Sequence, residues 1–215
     1  LQQYGISMNQ AVKIQQYYGQ RMYEVINTNP YRLAEDISGV GFRTADEIAQ
    51  RAGIAQNSEY RIRAAILYVL QQATANGHCY LPEQKLIELT ADLLYVTEEE
   101  VNVLLDRMVQ ERQLMVKAGE ERCIYSSLMY YTELNVARML LDLNQSCQLD
   151  EGKLQQRLNH VEASFDIRLD EVQRQAVKEA AKQGLFILTG GPGTGKTTTI
   201  NAMIRFLKQR EWRFF

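Results

Sequence analysis

The stretch Gly190-Gly191-Pro192-Gly193-Thr194-Gly195-Lys196-Thr197 constrains the fold more than any other part of the chain. It satisfies G-x-x-x-x-G-K-[ST] without a mismatch, a motif that works as the turn between a buried strand and a helix. Both neighbours are present as patterns. Leu185–Thr189 reads as a short parallel strand, and Ile200, Met203, Ile204 and Leu207 read as the inward stripe of the following helix. Glycines let the backbone curl until successive N–H groups point at one spot, and the helix start adds its unpaired amides and the positive end of its dipole. Lys196 brings a mobile charge to the β- and γ-phosphates, and Thr197 offers a hydroxyl ligand to Mg²⁺. ATP and Mg²⁺ are therefore the expected cofactors. Gly191, Gly193, Thr194, Gly195, Lys196, Thr197 and Thr198 are the expected contacts, with Lys196 and Thr197 the catalytic ones.

Gln173 stands 23 residues before Lys196, at the third position of a helix opened by Asp170 and running to Lys182. Its amide can read adenine, donating to a ring nitrogen while accepting from the exocyclic amine. It can equally close a capping box with Asp170. Position alone leaves both uses open.

The first 53 residues contain an internal echo. Gly5, Ile6, Ala11, Ile14 and Gly19 recur as Gly39, Val40, Ala45, Ile48 and Gly53, each shifted by 34. Two tandem helix-hairpin-helix units are expected, joined at Asn29-Pro30, with a helix over 58–74 after them. Ile62, Ala65, Ile66, Val69 and Leu70 lie on one face of that helix. In the second hairpin, Gly39-Val40-Gly41 precedes Arg43 and Thr44 at a helix start. Its outward amides can hold a phosphate of a DNA strand, or its glycines can serve packing alone. Duplication favours the backbone platform, with Gly5, Gly39, Val40, Gly41, Arg43 and Thr44 as its contacts. Ser7 in place of the second glycine weakens the first copy.

Residues 78–127 read helix, helix, hairpin. Pro82 starts the first helix, and Thr97-x-x-Glu100 caps the second, which buries Val101, Leu104, Leu105, Met108 and Val109. Leu114–Val116 and Cys123–Tyr125 flank Gly119 as two short strands. This is a winged-helix-like order. Residues 71–127 nevertheless hold 5 Lys+Arg against 10 Asp+Glu, whereas residues 1–70 hold 7 against 6 and residues 128–215 hold 12 against 10. An acidic middle repels a phosphate backbone, so packing or an accessory protein is its expected use.

Linking helices are expected at 129–144 and 150–163. The boundaries read as 1–76 for the hairpins, 77–127 for the wing, 128–168 for a helical linker and 169–215 for the start of a RecA-like α/β domain. The expected fold is thus mainly α with a truncated α/β end. His78, Cys79 and His160 have no partners at metal spacing, and Tyr17-Tyr18 and Tyr130-Tyr131 sit on helices where core packing is expected. Three cysteines in no redox spacing suit a reducing cytoplasm. No apolar run is long enough to span a bilayer and no secretory signal is present, so no membrane role is expected.

Three segments together resemble one family. NPYRLAEDISGVGFRTADEIAQRAGI is similar to the helix-hairpin-helix segment of RecD-like DNA helicases of superfamily 1, in particular the free-standing bacterial kind with an extended N-terminal region. LDEVQRQAV and LTGGPGTGKTTT resemble that family's glutamine motif and phosphate loop. The resemblance implies ATP-driven 5′→3′ movement along single-stranded DNA and sequence-independent binding of single strands or tailed duplex. It makes Gln173 the adenine reader. A non-catalytic module that binds DNA structures, or a different P-loop DNA-dependent ATPase, are the alternatives. The chain begins at Leu1 and stops at Phe215, so it is expected to be a piece of a longer protein, inactive as an ATPase alone and, over Lys196–Phe215, either poorly packed or reliant on a partner surface.

Overall fold

The computed structural model describes residues 2–208. The chain divides into two compact units, Leu1–Glu133 and Leu134–Phe215.

The first unit opens with the duplicated hairpins. A 3₁₀ turn (Gln2–Tyr4) leads to α1 (Met8–Tyr18), a second 3₁₀ turn (Gly19–Arg21) and α2 (Met22–Thr28). After Asn29-Pro30 come α3 (Arg32–Asp36) and α4 (Phe42–Arg51). The echo is structural. Gly5 and Gly39 take φ +75° and +93° at the two hairpins, and Gly19 and Gly53 take +56° and +78° where the helices stop. Such angles suit glycine because they bring no Cβ into collision with the backbone. Ile14 and Ile48, the repeat-related isoleucines, meet in one buried core with Ile6, Tyr18, Ile26, Leu33 and Val40. Each buried isoleucine contributes about 1.5–3 kcal/mol.

α4 has two buried faces. Ile48 faces the hairpin core, whereas Phe42, Ala45 and Ala49 join a second core around α5 (Glu59–Ala75). All five apolar residues expected on one face of that helix are buried there. Gly77, at φ +91°, follows its end. The same core takes in α6 (Glu83–Leu94) and α7 (Glu98–Gln110), the latter opened by the Thr97–Glu100 capping box. Two strands, β2 (Leu114–Lys117) and β3 (Cys123–Ser126), form the expected hairpin. Sequence reading missed a third. β1 (Leu81–Pro82) pairs antiparallel with β3, and two residues before a helix are too few to carry a strand pattern.

A helix α8 (Ser127–Leu143) crosses the division between the units, and α9 (Glu151–Phe165), α10 (Glu171–Lys182) and α11 (Lys196–Lys208) follow. Leu154, Leu158 and Val161 of α9 share a core with Val177 and Ala181 of α10 and with Ala202, Met203 and Phe206 of α11. Over the described residues this corrects the expectation of a poorly packed end for one face of α11, to which α9 supplies apolar surface. The expected stripe is also rotated. Thr199, Ala202, Met203 and Phe206 face the core, while Ile200, Ile204 and Leu207 remain exposed on the other side. Residues 209–215 of that expectation lie outside the described residues.

Leu185–Thr189 is not a strand among the described residues. A parallel strand exists only by pairing, and no neighbour accepts its ladder bonds here. Ile187 is 76% exposed. What pairs is the preceding segment: Ser146 bridges Gln183, and the Gly184 amide donates to Gln145 at 2.7 Å.

The tyrosine pairs split. Tyr18 is buried and Tyr17 exposed; Tyr130 is half-buried and Tyr131 exposed. A helix shows adjacent residues to different environments, so core packing holds for one member of each pair at most.

Candidate nucleic-acid and nucleotide sites

The second hairpin differs from the first in one respect that matters for anion binding. At the first, Ser7 caps α1 with a full capping box: its hydroxyl accepts from the Gln10 amide, and the Gln10 side chain accepts from the Ser7 amide. The helix start is closed by its own side chains. At the second, the N-cap is Gly41, in extended backbone, with no side-chain cap bond among the described residues. The amides at the start of α4 therefore have no capping side chain among the described residues. Gly41, Arg43 and Gly39 are exposed and Thr44 is half-buried, all grouped at this helix start.

Val40 needs correction. Its side chain is 4% exposed within the hairpin core, and its amide donates to the Ile37 carbonyl at 3.0 Å. It shapes the turn and has neither group free for a ligand. At Gly5 the Arg51 guanidinium fills the space a side chain would take: a Cβ there would fall 1.8 Å from its Nη1.

Two cations near the hairpins escaped sequence reading. Lys13 of α1 donates from Nζ to the Ser38 carbonyl at 2.8 Å, and Arg51 of α4 lies over Gly5. Each belongs to the opposite copy of the repeat. The 34-residue shift maps neither onto the other, so no local signal joins them.

In the second unit the phosphate loop opens α11. Gly193 and Gly195 take φ +77° and +73°. Beyond Gly191 and Gly193 the space a side chain would fill is open, as close approach of a phosphate requires. Thr194 Oγ1 donates to the Gly191 carbonyl at 3.0 Å and pins the curl, while Thr199 donates back to Gly195 inside the first turn. Lys196 folds over its own loop, with Nζ 2.7 Å from the Gly190 carbonyl and also bonded to that of Gly191. Thr197 and Thr198 are exposed. The donor set fits a polyphosphate and a hard cation.

Gln173 serves the capping box and also faces the loop. Its Oε1 accepts from the Asp170 amide at 3.1 Å, while the Gln173 amide donates to Asp170 Oδ1 at 2.8 Å. The other end of the amide, Nε2, lies 2.4 Å from where a Cβ on Gly195 would sit. Of the two uses left open by position the structure contains the capping box, and that cap holds the oxygen while the NH₂ lies toward the phosphate loop.

Comparison with known proteins agrees with this arrangement. Residues 1–80 match the family described as the ATP-dependent RecD2 DNA helicase HHH domain, and residues 173–213 match an AAA domain. An ATP-dependent RecD2 DNA helicase of Deinococcus radiodurans is 28% identical across 94% of this chain. The similarity runs through both the hairpin region and the phosphate loop. RecBCD enzyme subunits RecD are similar over shorter stretches: that of Mycolicibacterium smegmatis is 55% identical over 40 residues, 19% of this chain and 7% of the relative. That of Mycobacterium tuberculosis is 46% identical over 46 residues, 21% and 8%. The chain spans about 30% of the length of the Deinococcus relative. Among its described residues no helix is long and apolar enough to cross a membrane.

Proposed function

We propose that this chain belongs to an ATP-driven DNA helicase of the reducing cytoplasm, moving 5′→3′ along single-stranded DNA. In this reading the second hairpin holds a DNA backbone without regard to sequence, through the open amides of Gly41, Arg43 and Thr44. The phosphate loop holds the triphosphate of ATP with Lys196 and the amides around Gly191, Gly193, Thr194 and Gly195. Thr197 would hold Mg²⁺, which supplies neutralisation of charge on the phosphates, and Gln173 reads the adenine.

The observation that carries the reading is Gln173 seated against Gly195. A glutamine that only capped α10 has no reason to touch the phosphate loop, and a loop that only gripped phosphate has no need of an amide at its side. Together they form a surface suited to a purine nucleotide with a phosphate tail.

Hydrolysis asks for more than this surface gives. In-line attack needs a positioned water, a carboxylate behind it and charge stabilisation at the leaving oxygen, and the loop alone supplies none of them. The purified 215-residue chain is therefore expected to bind nucleotide without turning it over. Titration with a fluorescent ATP analogue, with and without Mg²⁺, tests the reading. Binding that depends on Mg²⁺, falls at least tenfold in Lys196→Ala and loses its preference for ATP over GTP in Gln173→Ala is expected. Equal retention of ATP by the wild type and Lys196→Ala would remove the nucleotide site. Steady turnover that Lys196→Ala abolishes would show the surface to be sufficient for catalysis.

A further inference from the structure

A hairpin that turns its amides outward also carries carbonyls at its tip, and those repel a phosphate. In the second hairpin the tip carbonyls belong to Ser38 and Gly39, and both are covered from the first copy of the repeat. Lys13 Nζ donates to the Ser38 carbonyl at 2.8 Å, and Gln10 Nε2 reaches the Gly39 carbonyl at 3.4 Å. The ammonium uses one of its three donors on Ser38 and is exposed, and the remaining two have no protein acceptor among the described residues. The first hairpin is served in the reverse direction. Arg51, at the end of α4, places its guanidinium on Gly5, is exposed, and has no hydrogen-bond or ion-pair partner among the described residues.

From this reciprocity we infer that the second hairpin is a composite backbone-binding site that takes charge from the first copy through Lys13, and that Arg51 offers a further phosphate contact beside the first hairpin, whose own helix-start amides are capped. The inference rests on the reading that the hairpins hold DNA and adds the residues that supply the electrostatic part of the grip. It also accounts for the duplication. A single copy would lack the cation that the other copy lends it. Residues 1–70 are nearly neutral overall, so binding depends on where these two charges sit and not on bulk charge.

The test uses the 215-residue chain and a labelled oligothymidylate, with affinity measured by fluorescence anisotropy over a series of KCl concentrations. Each phosphate contact on a single strand adds about 0.7 to the slope of log affinity against log salt. Lys13→Gln and Arg51→Gln are each expected to bind roughly threefold to tenfold more weakly at low salt and to flatten the slope by about that step. The double variant should flatten it by twice as much. Lys13→Arg keeps the charge and should recover both affinity and slope, while thermal melts establish that the variants are folded. Unchanged affinity and slope in both glutamine variants overturns the inference. So does weaker binding at an unchanged slope, or failure of Lys13→Arg to recover it, since either outcome makes the lysine a clasp for the Ser38 carbonyl only. A wild-type chain that binds no oligothymidylate fails the hairpin reading itself, a result separable from the others because no variant is needed to see it.

Discussion

Arg61 and Asp46 form a two-pronged ion pair inside the first unit, with Nε 2.8 Å from Oδ1 and Nη2 3.1 Å from Oδ2. Both side chains are largely withdrawn from water, at 9% and 14% exposure. Arg61 Nη1 also donates to the carbonyls of Gln56 and Leu94, and Tyr31 donates its hydroxyl to Asp46. One guanidinium thus ties α4 to α5 and to the end of α6, fixing the hairpins on the helical core. Removing it leaves a buried carboxylate and an unpaired carbonyl. Arg61→Ala is expected to lower unfolding stability by about 3–5 kcal/mol in urea titrations. Arg61→Lys should recover little of that loss, because an ammonium cannot span both oxygens and both carbonyls. A loss below about 1 kcal/mol would make the pair incidental.

The same cluster sets an acid limit. Burial pushes the Asp46 carboxyl up, but the hydrogen bonds from Arg61 and Tyr31 outweigh it and hold the carboxyl below the usual carboxylate range. Burial and the same bond push the Tyr31 hydroxyl well above its ordinary value, so it stays a donor throughout. A carboxylate lowered by folding stabilises fully above its unfolded pKa, about 3.9, and loses that contribution as pH falls through the lower folded value. Melting temperatures of the wild type should therefore drop between about pH 5 and about pH 2. In Asp46→Asn the drop should be shallower, from a lower starting point. Parallel curves for the two proteins would place the acid sensitivity elsewhere.

Gly195 is confined twice, by its φ of +73° and by Gln173 Nε2, which lies 2.4 Å from where an added Cβ would sit. Gly193 has a similar angle with open space around it. Alanine at either costs about 1–2 kcal/mol of backbone strain. Only at 195 must the glutamine also move. Gly195→Ala is expected to weaken nucleotide binding more than Gly193→Ala, and adding Gln173→Ala should reduce the gap by relieving the collision. Equal losses in the two single variants would show that Gln173 yields without effect. Isothermal titration with ATP and Mg²⁺ gives the comparison.

What could be read from the sequence was local. The Thr97–Glu100 and Asp170–Gln173 capping boxes are three residues wide, and both are present with their reciprocal bonds. The 34-residue echo places a glycine turn before each of two helices, and Gly5 and Gly39 there take positive φ because the requirement belongs to the turn itself. What escaped needed a partner distant in sequence. Lys13 meets Ser38 across 25 residues, and nothing in α1 announces it. The Val40 amide was offered to a ligand because sequence cannot tell which turn amides are already spent, and Ile37 takes this one. Leu185–Thr189 has the composition of a strand, but composition supplies no neighbour to pair with. On α11, the expected inward stripe includes Ile200 and passes over Phe206. Packing against α9 chose Phe206, at 1% exposure, and left Ile200 at 45%.

The open start of α4 gives a prediction in which stability and function move in opposite directions. Gly41 has φ −98° and ψ 175°, backbone that any residue adopts and that suits an N-cap, with nothing within 4 Å of an added Cβ. Serine there can accept from an amide of the first turn, as Ser7 already does at α1. It also loses less chain entropy on folding than glycine. Gly41→Ser should therefore stabilise the chain by about 0.5–1 kcal/mol. If the open amides serve a DNA backbone, the new hydroxyl competes for them, and affinity for oligothymidylate should fall severalfold in a protein that melts higher. Gly41→Asp should lose more, because it adds a negative charge where a phosphate would sit. A packing glycine predicts a different result: both substitutions would leave affinity unchanged, since the space is open. Gly39→Ala cannot make this distinction, because its φ of +93° ties any loss of binding to a strained turn. A more stable Gly41→Ser that binds DNA as tightly as the wild type would return the hairpin to a purely architectural role.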